Sequence, residues 1–532
     1  MPSKWPVGMT FKEVVLTVED KTCRVCGSNL KIRKNRIHRI YSLEGPLKLV
    51  CKLACCSKKE CPGRRTLISP HAEILLTMPR WRIGWDVFLW MGYRRCKRHW
   101  SVSQIQAELL DSYHLTLSED TITTYLGRYQ LMVAARHQDV ARLREAYRDC
   151  QDVILSIDGI QPEKGHETLY VVRELRKQRI WFAESLLSST YAEIRKVIQR
   201  AKSLAQQLNK PVRGWVSDKQ EAFVVNIAAE FPNVPHRYCD NHFLRDLAKL
   251  VLEKDSHAKV QMRRKIRGLR TLEKEILAEL DCPPQETDAL SQEQRTYAAQ
   301  IVLDYCAAVR GILTDNHGGP LTPPGWRMAT ALLALSHSLE RNLNQPTTPI
   351  SAKLRRLYGC IQRGLSIYNQ EKAHIGEYVN DLKRVFETLS SHNGTRATRQ
   401  ATFQRLTVQL AQRKDPISTH MSEIMQSFEG GLFVGSDDLE IPGDNLDLER
   451  WFKKPKGHER RIHGHQHAGI RIVCEGPTLL PALDAHLSRT TPFTCQELLP
   501  YVEAKAPESQ IRSLARHRIM KKASSKKNEI IC

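Results

Sequence analysis

The alternation of apolar and polar positions divides the chain into a mixed amino-terminal part, a strand-rich middle and a long helical stretch. Asp152-Val153-Ile154-Leu155-Ser156-Ile157-Asp158-Gly159 is an apolar, β-branched run that ends in a carboxylate and a glycine. This is how a buried strand delivers an acid to the edge of a sheet. Thr168 to Arg173 and Arg179 to Ala183 follow with turn residues between them, which predicts a three-strand meander. Tyr191 to Leu208 has the period of an amphipathic helix. Val212-Arg213-Gly214-Trp215-Val216-Ser217-Asp218 then repeats the strand-into-acid pattern ahead of a helix over Lys219 to Glu230, and Val234 to Cys239 offers one more short strand. A meander followed by strand and helix in alternation predicts an α/β fold with a mixed sheet and flanking helices.

The flanks differ in texture. Trp85, Val87, Phe88, Trp90 and Met91 give one helix its apolar content. Ser101 to Leu110 reads as a short helix, His114 to Leu117 as a turn, and Ser118 to Leu126 as a second helix with a serine cap and acids in its first turn. Ile122 and Leu126 pack inward at a spacing of four, while Thr121, Thr124 and Arg128 face out. A helix-turn-helix that places its second helix in a major groove has this layout, and so does an ordinary helical hairpin. From Phe243 to about Phe428 the apolar spacing is helical, through Ala298–Leu313, Trp326–Leu343, Ser351–Tyr368 and Ile375–Leu389, which predicts an all-helical inserted domain. After the loop residues Gly430, Gly431 and Gly435, a helix starts near Asp444-Asn445-Leu446-Asp447-Leu448-Glu449, and a third carboxylate is expected there. Lys453, Lys454, Lys456, Arg460 and Arg461 follow at once, a row suited to phosphates. The basic tail from Lys505 to Lys527 is expected to be mobile and adhesive to nucleic acid.

Composition narrows the partners. At 532 residues the chain exceeds one hydrophobic core, and its formal charge of +23 with a pI near 9.5 points to a polyanion, with nucleic acid ahead of membrane. Lacking an apolar run near 18 residues or an amino-terminal signal pattern, the chain is expected to be soluble and cytoplasmic. Fifteen cysteines, clustered before Pro62, argue for metal ligation rather than disulfides. Cys23-Arg24-Val25-Cys26 and Cys56 with Cys61 form two close pairs that match a structural zinc ribbon, and Cys51 and Cys55 compete with Cys56 as a ligand. His458, His463, His465 and His467 are expected to be exposed or phosphate-contacting rather than metal-bound. Two strand-end acids, Asp158 and Asp218, repel each other unless a divalent cation lies between them, and their oxygens suit Mg²⁺ or Mn²⁺.

Together the cysteine ribbon, the helix-turn-helix region, the Ser-Ile-Asp-Gly strand and Cys239-Asp240-Asn241-His242 resemble a bacterial insertion-sequence transposase of the DDE class. The Cys-x-x-His element, about 20 residues past Asp218, is similar to the signature of Mutator-like and related transposases. The resemblance implies a ribonuclease H-like mixed sheet with a large all-helical insertion, preceded by a zinc ribbon and a helix-turn-helix. Its parts would be a zinc-ribbon domain over 1–78, a DNA-binding region over 79–148, the catalytic core over 149–244, the insertion over 245–430, the end of the core with the third acid over 431–485, and a basic tail over 486–532. It implies Asp158, Asp218 and Glu449 as catalytic acids holding two Mg²⁺ (or Mn²⁺) ions, Glu449 being placed by the Asn445-x-x-x-Glu449 spacing, although Asp444, Asp447 and Glu459 compete. Cys239 and His242 would be supporting residues, and Thr121, Thr124, Arg128, Lys453, Lys454 and Arg460 would contact DNA. The implied activity is metal-dependent DNA cleavage and strand transfer on transposon terminal repeats and target DNA, by a homodimer or larger assembly at the bacterial nucleoid. The rival expectation is a sequence-specific DNA-binding regulator with a silent nuclease-like domain.

Overall fold

Three amino-terminal strands, β1 (Lys12–Thr17), β2 (Leu30–Ser42) and β3 (Gly45–Cys56), form a sheet in the order β1-β3-β2. β3 is central, parallel to β1 and antiparallel to β2. Its alternation buries Leu49, Cys51 and Leu53 with Ile40 of β2 in a small core, and β2 leaves Lys31 to Ile37 exposed along an edge. The structure is a computed structural model and describes residue 5 and residues 8–162, 165–281, 291–344, 351–464 and 469–531. It divides into a sheet-bearing unit, Met1–Val234 with Asn445–Cys532, and a helical unit, Pro235–Asp444.

In the sheet-bearing unit, helices Trp85–Arg98, Val102–Tyr113 and Glu119–His137 follow the small sheet. Ser101 and Gln104 close a capping box at the second of these, and Ser118 Oγ accepts from Thr121 N at the third. The third helix runs to His137, well past Leu126, because Tyr129, Met132 and Val133 continue its buried stripe. Tyr129 lies so close to Gly92 that a Cβ there would meet its ring at 2.4 Å, so the two helices approach only through glycine.

The main sheet contains β4 (Val153–Ile160), β5 (Thr168–Glu174), β6 (Arg179–Leu186) and β7 (Val212–Ser217), in the order β6-β5-β4-β7 within this unit. β4, β5 and β6 form the expected antiparallel meander, and β7 lies parallel to β4. On one face Leu155, Ile157, Tyr170 and Val172 pack with Ile194, Val197, Ile198 and Phe223 of helices Tyr191–Leu208 and Glu221–Glu230. On the other, Ile160, Leu169 and Val171 share a core with Leu448 and Trp451 of helix Leu446–His463 and with Leu479 and Leu480 of helix Gly476–Leu487. The residue pattern thus builds a mixed sheet covered on both sides.

The tail departs from expectation, since Glu508–Ile531 is a helix whose Ser509, Gln510 and Ser513 are buried. Gln510 Oε1 accepts from Thr478 Oγ1 at 2.9 Å. Small polar residues make that packing, and they are masked in the sequence by the charge density around them.

The helical unit opens with β8 (His236–Tyr238) and continues through eight helices between Asp240 and Leu432 among the described residues. Ser351–Leu389 is one helix of 39 residues where the apolar period predicts two, because residues 369–374 are polar apart from Ala373 and contain neither proline nor glycine to stop it. Asp255, fully buried, accepts from Gly325 N at 2.6 Å, Trp326 N at 2.9 Å and Tyr368 Oη at 2.7 Å, closing the start of helix Pro324–Leu343. Among the described residues no helix is long and apolar enough to cross a membrane.

Candidate active site and metal centres

The first candidate centre lies at one end of the small sheet. Cys23, Cys26, Cys56 and Cys61 bring four sulfurs within 4.8 Å of one another, with Cys23 Sγ 3.9 Å from Cys61 Sγ and Cys26 Sγ 3.5 Å from Cys56 Sγ. A tetrahedron of thiolates at a metal–sulfur distance of about 2.3 Å has edges of about 3.8 Å, so the cluster has the size to hold a metal ion and is compatible with structural zinc. A Cβ at Gly63 would lie 2.9 Å from Cys23 Sγ, so the loop passes the cluster only as glycine. Arg64 Nη1 donates to the carbonyls of Cys56 and Ser57 at 3.3 Å and ties the second knuckle down. The Ser28 hydroxyl and N–H draw the Cys26 thiol down to about 6, whereas desolvation pushes Cys56 up to about 12. Full ionisation of the set therefore calls for a cation. The competitors drop out: Cys51 points into the core of the small sheet, and neither it nor Cys55 belongs to the cluster.

The second candidate centre lies where β4 runs past the end of β7: Asp158, expected at a strand end, is two residues inside β4 because Gly159 and Ile160 go on pairing with β5, and Asp218 is the first residue after β7. Ile157 of β4 pairs with Ser217 of β7 in parallel register, so Asp158 and Asp218 are the next residues on two neighbouring strands, about 4.8 Å apart in a sheet. Both are half-buried; Asp158 Oδ1 accepts from Gly159 N at 2.7 Å and Asp218 Oδ1 from Gln220 N at 3.4 Å. Asn445, fully buried, caps helix Leu446–His463, and its Nδ2 donates to the Ile157 carbonyl at 3.3 Å, one residue before Asp158. Half-buried Glu449 lies in the first turn of that helix, with its N–H on the Asn445 carbonyl at 3.0 Å. Unlike the four thiols, the three carboxylates do not all lie within 4.8 Å of one another.

The rival acids have other engagements. Asp447 Oδ2 accepts from Arg173 Nε at 2.5 Å, and Glu459 is 2% exposed with Arg471 Nη1 at 3.1 Å. Asp444 belongs to the helical unit, where its charge helps to raise the Asp240 carboxyl. Arg173 pairs in register with Ser156, two residues before Asp158, and thus shares the sheet face that Asp158 presents. Its Nη1 lies 3.6 Å from Asp484 Oδ1, and Trp451 Nε1 donates to the same oxygen at 2.9 Å. Arg173 and Asp484 therefore hold the Glu449 helix against the sheet. Neither residue carries a sequence motif; the one signal in the chain is an arginine at an inward position of an apolar strand.

The remaining expected residues fall in several places. Cys239 is buried at the start of helix Asp240–Leu247, where its carbonyl accepts from Phe243 N at 3.0 Å, and His242 is half-buried in the first turn. Thr124 is exposed and donates to the Asp120 carbonyl at 2.8 Å, Thr121 Oγ1 meets Ser118 Oγ at 2.8 Å, and Arg128 Nη1 donates to the Ala504 carbonyl at 2.9 Å. Lys453, Lys454 and Arg460 are exposed. His458 corrects an expectation of exposure: it is 1% exposed, its Nδ1 lies 2.9 Å from Nδ1 of His99, and burial together with the charge of Arg95 holds it well below the usual histidine range. Pro455 and Trp451 bury the same stripe of that helix, so position 458 turns inward. His463 is exposed, and His465 and His467 lie outside the described residues. Compared with known protein families and with curated proteins, the chain matches none.

Proposed function

We propose that the protein is a DNA transposase of the DDE class, cutting and rejoining phosphodiester bonds at transposon ends, with a ribonuclease H-like catalytic sheet. The observation that carries this reading is the parallel register of β4 and β7, which sets Asp158 beside Asp218, together with the Asn445 bond that starts the Glu449 helix one residue from Asp158. Three half-buried hard oxygen donors, one in β4, one just after β7 and one in the first turn of a helix, fit Mg²⁺ or Mn²⁺. Their spread beyond a single tight cluster suits a pair of ions roughly 4 Å apart better than one ion. When bound, such ions activate a water or 3′-hydroxyl and stabilise the departing oxygen.

In this reading Asp158, Asp218 and Glu449 hold the metal, Asn445 and Arg173 fix the helix that carries Glu449, and Cys239 and His242 support the start of the following helix. Zn²⁺ in the four-thiol cluster would hold the amino-terminal sheet, whose exposed Lys31, Arg33, Lys34 and Arg39 offer charge to a nucleic-acid backbone. Double-stranded DNA is the partner, in the cytoplasm, with synapsis of two ends calling for a dimer or larger assembly.

The test is Asp158→Asn in the full chain. Mg²⁺-dependent nicking of duplex DNA is expected to fall by at least about 100-fold, as when an essential charge-stabilising group is removed, while DNA binding measured without metal stays within about twofold. Undiminished nicking would refute the enzyme. Binding without any metal-dependent nicking in the unmutated protein would instead make it a DNA-binding regulator.

A further inference from the structure

Besides the acids, the sheet-bearing unit contains a cavity of about 550 Å³ lined by six cations, Arg136, Arg173, Lys177, Arg179, Lys454 and Arg489, against one carboxylate, Asp484. They come from five places in the chain: the end of helix Glu119–His137, β5, the β5–β6 turn with the start of β6, helix Leu446–His463, and the segment after helix Gly476–Leu487. The carboxylate is spent internally, since Asp484 accepts from Ile180 N and Trp451 Nε1 at 2.9 Å each. Glu497, outside the lining, is shared by Arg136 at 2.7 Å and Arg489 at 2.9 Å, and Asp447 is taken by Arg173. Arg179 has only a carbonyl, that of His137 at 2.5 Å, and Lys177 and Lys454 have no ion-pair partner among the described residues.

A second observation points to a ligand. Arg136 Nε, Arg173 Nη1 and Arg179 Nε are buried nitrogens without a hydrogen-bond acceptor, and all three belong to residues that line this one cavity. The Arg173 side chain is 4% exposed, and its Nη1 has Asp484 Oδ1 at 3.6 Å as an ion-pair neighbour but no acceptor at hydrogen-bond distance, which is costly to keep. Burial, and after it the charge of Arg142, holds the Arg136 guanidinium below its usual value even with Glu497 pulling the other way. Guanidinium forks match the oxygens of phosphates, and the cations are spaced around a space too large for a single phosphate.

We propose that this cavity holds the phosphodiester backbone of a nucleic-acid strand. A free nucleotide is the poorer occupant, because apart from His137, whose Nε2 meets the Ile180 carbonyl at 2.9 Å, the lining has no aromatic face on which a base could stack. The place of the cavity gives the strand a direction: Lys454 follows Glu449 by five residues on one helix, about 7.5 Å along its axis. Arg173 joins the cavity to the sheet face of Asp158. The link to the acids rests on the proposed transposase reading; backbone binding itself does not.

The experiment uses the full chain and a short labelled duplex, with affinity measured over a range of KCl concentrations. Lys177→Ala with Lys454→Ala removes two exposed, unpaired charges and leaves the buried network alone. The slope of log affinity against log salt is expected to become shallower by about 1.8, at about 0.9 for each phosphate no longer neutralised. Lys177→Glu with Lys454→Glu is expected to weaken binding at least about tenfold, and Lys196→Ala, on the helix covering the other sheet face, to change neither quantity by more than a single exposed charge does. An unchanged slope in the double alanine variant overturns the proposal. So does tight binding of inorganic pyrophosphate that the double variant loses while its DNA affinity stays the same, because the cavity would then serve a soluble polyphosphate. Nicking by Asp158→Asn is scored separately, so loss of the enzyme reading leaves this result standing and the reverse also holds.

Discussion

Both units of the molecule bury charged side chains, yet they use them differently. In the helical unit two fully or nearly buried charges, Asp255 and Arg399, close helix ends, although Arg237 Nε and Asp240 Oδ1 there also have no hydrogen-bond partner. Asp255 satisfies two N–H groups at the start of helix Pro324–Leu343, and Arg399, 2% exposed, donates to the Thr388 and Leu389 carbonyls at the end of helix Ser351–Leu389. In the sheet-bearing unit several buried charges have donors left over. Arg136, Arg173 and Arg179 keep nitrogens without a hydrogen-bond acceptor around one opening. A buried charge that finishes a backbone ladder is explained by the fold. One that remains short of partners at a cavity points outward, to something the fold does not supply.

This contrast can be broken at either end. The largest expected effect is on the structural side. Asp255→Ala strands three donors in a fully buried place, at about 1–3 kcal/mol each. Unfolding of the helical unit followed by amide hydrogen exchange in helix Pro324–Leu343 should lose on the order of 5 kcal/mol, whereas tryptophan fluorescence, which reports eight of nine tryptophans in the other unit, should shift little. Equal shifts in both signals would mean that the units do not melt separately.

Arg173→Met comes next. It leaves Asp447 and Asp484 without their shared cation, and breaking a buried pair costs about 3–5 kcal/mol. The expected signature is a shift in tryptophan fluorescence together with loss of metal-dependent nicking, since the Glu449 helix loses its tether. Full nicking in a folded Arg173→Met protein would show that the tether is dispensable.

The smallest effect is titration. Burial, with Arg461 and Lys97 nearby, holds His99 down to about 4, and burial holds His486 down to about 4, with Arg489 and Lys97 adding to it against the pull of the Ala482 carbonyl. A histidine with a lowered folded pKa contributes stability that is present above its unfolded pKa of about 6.5 and is lost as pH falls toward 4. For His486 that loss amounts to about 3 kcal/mol in full. In the helical unit two groups oppose each other. Burial lowers His236 to about 4, while burial, against Arg237 and with Asp444, raises the Asp240 carboxyl to about 7. A raised acid works in the reverse sense: the folded state binds the extra proton, so stability is lost as pH rises from about 4 through 7. Denaturant melts between pH 4.5 and 7 should therefore move the tryptophan transition more than the helical one. Parallel movement of both would remove this part of the contrast.

What was legible in the sequence was local. Strand runs at Val153–Ile160 and Val212–Ser217, the helix over Tyr191–Leu208, the serine caps at Ser101 and Ser118, the two cysteine pairs and the helical insertion all follow from short-range pattern, and the structure bears out those elements. Short-range pattern misread what long-range packing sets. It stopped helix Glu119–His137 too early, split Ser351–Leu389 in two, left His458 on the surface and made the tail mobile.

The residue order by itself determined which stretches become strands or helices and where the serine caps lie, because period and capping act over a few neighbours. Only the tertiary structure decided among equals. It took Cys56 over Cys51 and Cys55, because alternation on β3 turns Cys51 into the core. Register between two strands 60 residues apart set Asp158 beside Asp218, and the fold assembled a cationic cavity from segments that share no local signal. Such choices depend on hydrogen-bond register and burial between distant parts of the chain, which no window along the sequence contains.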